Sequence, residues 1–103
     1  MQYFASLPEY KRYCTLNLWA KTAIIKNLKL QPRFPLHSYC QADQSAVHVF
    51  DYVADFEYIF SQNGQRIIED VKPKRIEAQD PVFKLKRKLF EAEYGLTLTI
   101  INR

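Results

Sequence analysis

Glycine is nearly absent. Only Gly64 and Gly95 occur in 103 residues, so no glycine-rich loop is available to cradle phosphates. Cysteine is scarce too. Cys14 and Cys40 are far apart and form no CxxC pair, which points to a reduced, cytosolic protein rather than a disulfide scaffold. His37 and His48 stand at no zinc-binding spacing from each other or from the cysteines, and both read as ordinary polar positions. No apolar run approaches the ~20 residues needed to span a bilayer. The start, MQYFASLPEY, lacks a charged segment followed by an apolar one, so no signal peptide is expected. Repeats, linkers and low-complexity tracts are missing as well.

What remains is enough for one core. Nearly half the residues are apolar and 15% are aromatic, which argues against disorder and fits a single domain over 1–103. The net charge of +4 is modest, but it is unevenly spread. Seven of the fifteen basic residues (Lys72, Lys74, Arg75, Lys84, Lys86, Arg87 and Lys88) fall between positions 72 and 88. Such clustering fits a polyanion partner. A solvated basic helix is the competing reading.

The stretch from Val53 to Lys72, VADFEYIFSQNGQRIIEDVK, reads as two strands around an Asn63-Gly64 turn, where both residues tolerate positive φ. Residues two apart share a strand face. Val53, Asp55 and Glu57 therefore lie together, as do Ile68, Asp70 and Lys72, with Glu69 on the opposite face. Two carboxylates with nearby water can hold a hard divalent cation. A lysine beside them can position water or steady a phosphoryl transition state.

Residues 6 to about 27 read as a helix opened by a Ser6-Leu7-Pro8-Glu9 capping box. One apolar stripe runs Leu7, Tyr10, Cys14, Leu18, Ile25, Leu28, and a second runs Tyr13, Leu16, Ala20, Ile24. Glu9 heads the second stripe, so it either caps the helix or points inward. Leu28 to Leu36 reads as an edge or irregular strand, because Pro32 and Pro35 cannot donate to a ladder. Residues 37–45 read as a turn and 46–60 as one long strand, with Asp51 expected in solvent and Glu57 left open. Pro73 to Gln79 reads as a basic loop. Asp80-Pro81 opens a second helix that ends at Gly95. On it Val82, Leu85, Leu89 and Ala92 form one apolar stripe, and Phe83, Phe90 and Tyr94 another. Lys84, Arg87 and Lys88 share the outer face. Lys86 falls between the stripes, as a cleft residue or half of a structural ion pair. Leu96 to Ile101 reads as a last strand, reached by a parallel crossover.

The order αβββαβ, with Asp55 and then Asp70-Val71-Lys72, resembles the PD-(D/E)XK nuclease superfamily with its restriction-endonuclease-like α/β fold, a mixed central sheet flanked by helices. Within it the chain is similar to a family of small phage and prophage proteins. The likeness rests on FxSxxE (Phe4, Ser6, Glu9), LQPxF (Leu30 to Phe34), YxADF (Tyr52, Ala54, Asp55, Phe56), EDVK (Glu69 to Lys72) and KLKRKLF…YG (Lys84 to Phe90, Tyr94-Gly95). It departs in Ala54, where the superfamily motif has proline, and in Pro73, where the family usually has glycine.

The resemblance implies a Mg²⁺- or Mn²⁺-dependent DNA endonuclease of phage or mobile-element origin, acting in the bacterial host cytoplasm. It implies that Asp55, Asp70 and Glu9 bind metal and that Lys72 positions the attacking water. On this reading Lys74, Arg75, Lys84, Lys86 and Lys88 hold DNA. Branched DNA is an expected substrate, and a homodimer would deliver paired cuts. The rival is an inactive nuclease-fold module that binds DNA or protein. RNA or a nucleotide is a third reading, for which no aromatic recognition motif is evident.

Overall fold

The structure, a computed structural model, describes residues 6–40 and 42–102, with Cys40 by its backbone alone; Phe4 of the first motif lies outside the described residues. Ser6 caps the first helix, α1 (Leu7–Lys21), by accepting the Glu9 N–H at 3.3 Å. The helix stops well short of residue 27. Thr22 bonds back to the carbonyls of Leu18 and Trp19, Ala23 takes a φ of 63°, and the β-branched pair Ile24-Ile25 leads into strand β1 (Ile25–Leu30).

The segment expected to be a turn is strand. β2 (Arg33–Cys40) and β3 (Ser45–Val53) form an antiparallel two-stranded ribbon. Both of its strands are edges, which is why Pro35 is accommodated. The single strand expected over 46–60 is broken at Ala54-Asp55. There Ala54 N–H donates to the Pro32 carbonyl at 3.1 Å and Asp55 N–H to the Glu69 carbonyl at 3.0 Å. The chain thus leaves the ribbon and joins a second sheet as β4 (Phe56–Phe60).

β4 pairs antiparallel with β5 (Arg66–Lys72) across the Asn63-Gly64 turn. Only Gly64 takes positive φ, at 70°. Asn63 instead uses its side chain, whose Oδ1 accepts the Gln65 N–H at 2.9 Å. The expected loop after Pro73 is a short helix, α2 (Lys74–Gln79), followed by α3 (Pro81–Tyr94) and β6 (Leu98–Asn102). Asp80 caps α3 through the Val82 and Phe83 N–H groups, and Gly95 closes it with a left-handed φ of 66°. The larger sheet has the order β1-β4-β5-β6, with β6 parallel to β5 across the α3 crossover. The protein is therefore mixed α/β with a mixed sheet.

The two faces of β4–β5 carry two cores. On the α3 side Phe34, Leu36, Tyr52, Ile68, Phe83, Phe90 and Leu98 pack together. On the α1 side Leu16, Ile25, Phe56, Tyr58 and Val71 do so. Each helix turns the second of its two expected apolar stripes to the sheet, except for Ile24, which lies beyond α1 and is exposed. Leu7, Tyr10 and Leu18 of α1, and Val82, Leu85 and Leu89 of α3, are exposed instead. Periodicity identifies an apolar face but not which of two faces the sheet will cover. Among the described residues no helix is long and apolar enough to cross a membrane.

Candidate active site

β5 sorts its side chains by alternation. Ile67, Glu69 and Val71 point toward α1, whereas Ile68, Asp70 and Lys72 point toward α3. Asp70 and Lys72 there line a cleft of about 310 Å³ with Tyr52, Phe83 and Lys86. Asp70 is 1% exposed. The Tyr52 hydroxyl donates to its Oδ2. Its Oδ1 is the one buried side-chain polar atom among the described residues with no hydrogen-bond partner. Burial pushes the Asp70 carboxyl up to about 6; the charge of Lys72 and the Asp55 backbone pull it back, and the charge of Glu9 adds to the rise. Lys72 lies over the Phe83 ring, 5.5 Å from its centroid.

Asp55 sits at the break between the two sheets. Its Oδ2 accepts the Val71 N–H at 2.7 Å, so its carboxylate is fixed on the residue between Asp70 and Lys72. Asp55, Asp70 and Lys72 are thus brought together at one end of β5. Glu9 arrives differently. It is half-buried on α1, which packs against the Glu69 face of the sheet, yet its charge reaches Asp70.

Among the described residues no three His, Cys, Asp or Glu side chains stand close enough to hold a metal ion. An all-protein cage is not what Mg²⁺ requires. It keeps several waters and uses one or two carboxylates together with substrate phosphate. The unpartnered Oδ1 of Asp70 fits that demand, and Asp55 is anchored on the adjacent Val71 N–H.

Glu69 and Arg12 form a site that sequence reading missed. Glu69 is fully buried and accepts a two-pronged bond from Arg12, Nε to Oε1 at 2.9 Å and Nη2 to Oε2 at 2.7 Å. Tyr58 donates its hydroxyl to the same carboxylate, and its own ionisation is pushed up by burial first and by Glu69 second. Arg12 also lies over Trp19 at 5.2 Å. The available signal was an arginine three residues after Glu9, beside the buried stripe of α1. Glu57, left open above, is buried and paired with Arg66 at 3.1 Å and Lys29 at 3.8 Å. Asp51 is not free in solvent: it accepts from His48 at 2.8 Å and Arg33 at 3.0 Å, and these bonds hold its carboxyl below the usual value. The histidines are not isolated either. They are cross-strand partners with ring centroids 5.8 Å apart, and His37 contacts Glu93.

The basic residues divide. Lys74, Arg75, Lys84 and Lys88 are exposed on α2 and α3. Arg87, expected on the outer face, is half-buried and paired with Glu77 and Glu91. Lys86 lies over the Phe50 ring at 5.5 Å and faces the cleft.

No curated protein and no solved structure matches the chain. The sequence does match one family along residues 1–103, and the chain belongs to it: DUF1064, described as a protein of unknown function.

Proposed function

We propose that the protein is a metal-dependent DNA endonuclease with a restriction-endonuclease-like core. With the ribbon and α2 set aside, the elements run α1, β1, β4, β5, α3, β6, the αβββαβ order that this reading requires. The observation that carries it is the buried Asp70 carboxylate, with an unpartnered oxygen, facing the same cleft as Lys72. A carboxylate kept this way is costly unless a cation or water completes it.

In this reading Asp70 and Asp55 hold Mg²⁺ or Mn²⁺, and Glu9 adds negative charge from α1. When bound, the ion polarises the phosphate and acidifies water. Lys72 donates to the attacking water or to a phosphate oxygen. Lys74, Arg75, Lys84 and Lys88 grip the backbone of DNA, with Lys86 reaching toward the cleft. A homodimer would cut both strands; branched DNA is the proposed substrate, and the enzyme is of phage or mobile-element origin, acting in the cytoplasm of a bacterial host. The test is incubation with supercoiled, linear, single-stranded and four-way-junction DNA in Mg²⁺, Mn²⁺ or EDTA. Cleavage in either metal and none in EDTA is expected; no cleavage of any substrate refutes the reading.

A second reading is an inactive nuclease-fold module that binds DNA or protein, using the exposed Lys74, Arg75, Lys84 and Lys88. It predicts metal-independent binding without cleavage.

A further inference from the structure

Five of the fourteen lysines and arginines among the described residues are matched with acids. Arg12, Lys29, Arg33, Arg66 and Arg87 each close an ion pair with a carboxylate. Lys72 and Lys86 do not, among the described residues, although both line the cleft that Asp51, Asp70 and Asp80 also line. Asp51 and Asp80 are turned to other partners, and Asp70 is committed through one oxygen, its Oδ1 having no hydrogen-bond partner. Asp51 is taken by Arg33 and His48. Asp80 caps α3 through the Val82 and Phe83 N–H groups. Asp70 Oδ2 takes the Tyr52 hydroxyl.

The two lysines are held by aromatic rings instead, Lys72 on Phe83 and Lys86 on Phe50, each 5.5 Å from the centroid. That distance is within the range of a cation–π contact. A ring and a carboxylate position an ammonium group with opposite consequences. A carboxylate cancels its charge and occupies its N–H donors. A ring fixes the side chain through its face and leaves charge and donors for an incoming anion.

We propose that the cleft is a phosphate site in which Lys72 from β5 and Lys86 from α3 clasp one phosphate group, with Phe83 and Phe50 as positioning residues. At about 310 Å³ the cleft lies at the small end of ligand pockets, with room for a phosphate and part of its nucleotide rather than a base pair. This gives Lys86 a role distinct from that of Lys84 and Lys88, which are exposed on α3. Identifying the bound group as the scissile phosphate of DNA rests on the nuclease reading; the anion site itself does not.

The test uses the full chain in EDTA, titrated with inorganic phosphate and followed by calorimetry and ³¹P NMR. The wild type is expected to bind. Lys72→Ala and Lys86→Ala should each weaken binding roughly tenfold, as for a lost hydrogen bond between charged groups. Phe50→Leu should weaken it about threefold or more, whereas Phe50→Tyr, which keeps a ring face, should retain it. Asp70→Asn should tighten binding by removing a like charge. Lys21→Ala, on the exposed end of α1, serves as the control and should change nothing. Phe50 is the variant of choice because it is half-buried, whereas Phe83 is core. Thermal melts confirm that each variant is folded. The proposal is overturned if the wild type shows no phosphate binding, if Lys86→Ala binds like the wild type, or if Phe50→Tyr fails as Phe50→Leu does. Loss of phosphate binding in the lysine variants, with no DNA cleaved in any metal, would keep the site and discard the nuclease. Cleavage by a wild type whose phosphate affinity ignores Lys86 would do the reverse.

Discussion

Asp70→Asn should make the protein more stable and catalytically dead. Burial raises the Asp70 carboxyl from its usual 3.8 to about 6, a difference of ~3 kcal/mol between the charged and neutral forms. The sign follows from proton binding. The folded chain holds a proton on Asp70 that the unfolded chain releases near pH 4. Stability is therefore greatest below that pH, falls as pH rises, and reaches its lower plateau above about 6. The amide cannot ionise, so the variant escapes this loss. Part of the gain is offset by the amide N–H group that replaces the unpartnered Oδ1. A net stabilisation of ~2 kcal/mol at pH 8 remains, or roughly 10 °C in Tm for a chain of this size. The assay is thermal and urea unfolding of metal-free protein from pH 4 to pH 8. Wild-type stability should decline across that window relative to Asp70→Asn, and the two curves should converge at the acid end. The same variant should lose cleavage while keeping or strengthening DNA binding in Ca²⁺, since it removes a negative charge beside the phosphate. Parallel pH profiles for the two proteins would refute the claim that Asp70 is ionised at a cost. Cleavage by Asp70→Asn at the wild-type rate would refute its place in the active site.

Lys72→Ala should abolish nicking of plasmid and junction DNA yet leave Mn²⁺ affinity, measured by calorimetry, near the wild-type value, because lysine is no metal ligand. Replacing Lys84 and Lys88 together by alanine should weaken DNA binding broadly and flatten its dependence on log salt by up to ~0.9 per lost phosphate contact, read by mobility shift over a salt series. An unchanged slope would make that face of α3 merely solvated. Arg12→Ala leaves Glu69, fully buried, without its cation and should cost ~3–5 kcal/mol in urea unfolding. Pairing Arg12→Met with Glu69→Gln should recover part of that loss.

Local chemistry by itself determined much of this protein. Ser6, Asp80 and Gly95 set helix ends by hydrogen bonds and a left-handed φ that are properties of a few adjacent residues, and those ends stand where they were expected. Alternation along β5 placed Asp70 and Lys72 on one face and Glu69 on the other, because a strand's side chains have period two whatever surrounds them. Tertiary structure decided the rest. The run 46–60 is uniformly strand-like in pattern, and its break at Ala54-Asp55 comes from main-chain bonds to Pro32 and Glu69, residues distant in sequence. α1 had two apolar stripes, and only packing on β1 and β5 could choose Leu16 over Leu7, Tyr10 and Leu18. Arg12 is one of several surface-like cations until the fold sets it against Glu69, 57 positions away. Lys86 likewise acquires its place in the cleft from Phe50, on a ribbon whose position no local pattern encodes. Short-range geometry is written residue by residue, whereas partners are supplied only when the chain closes on itself.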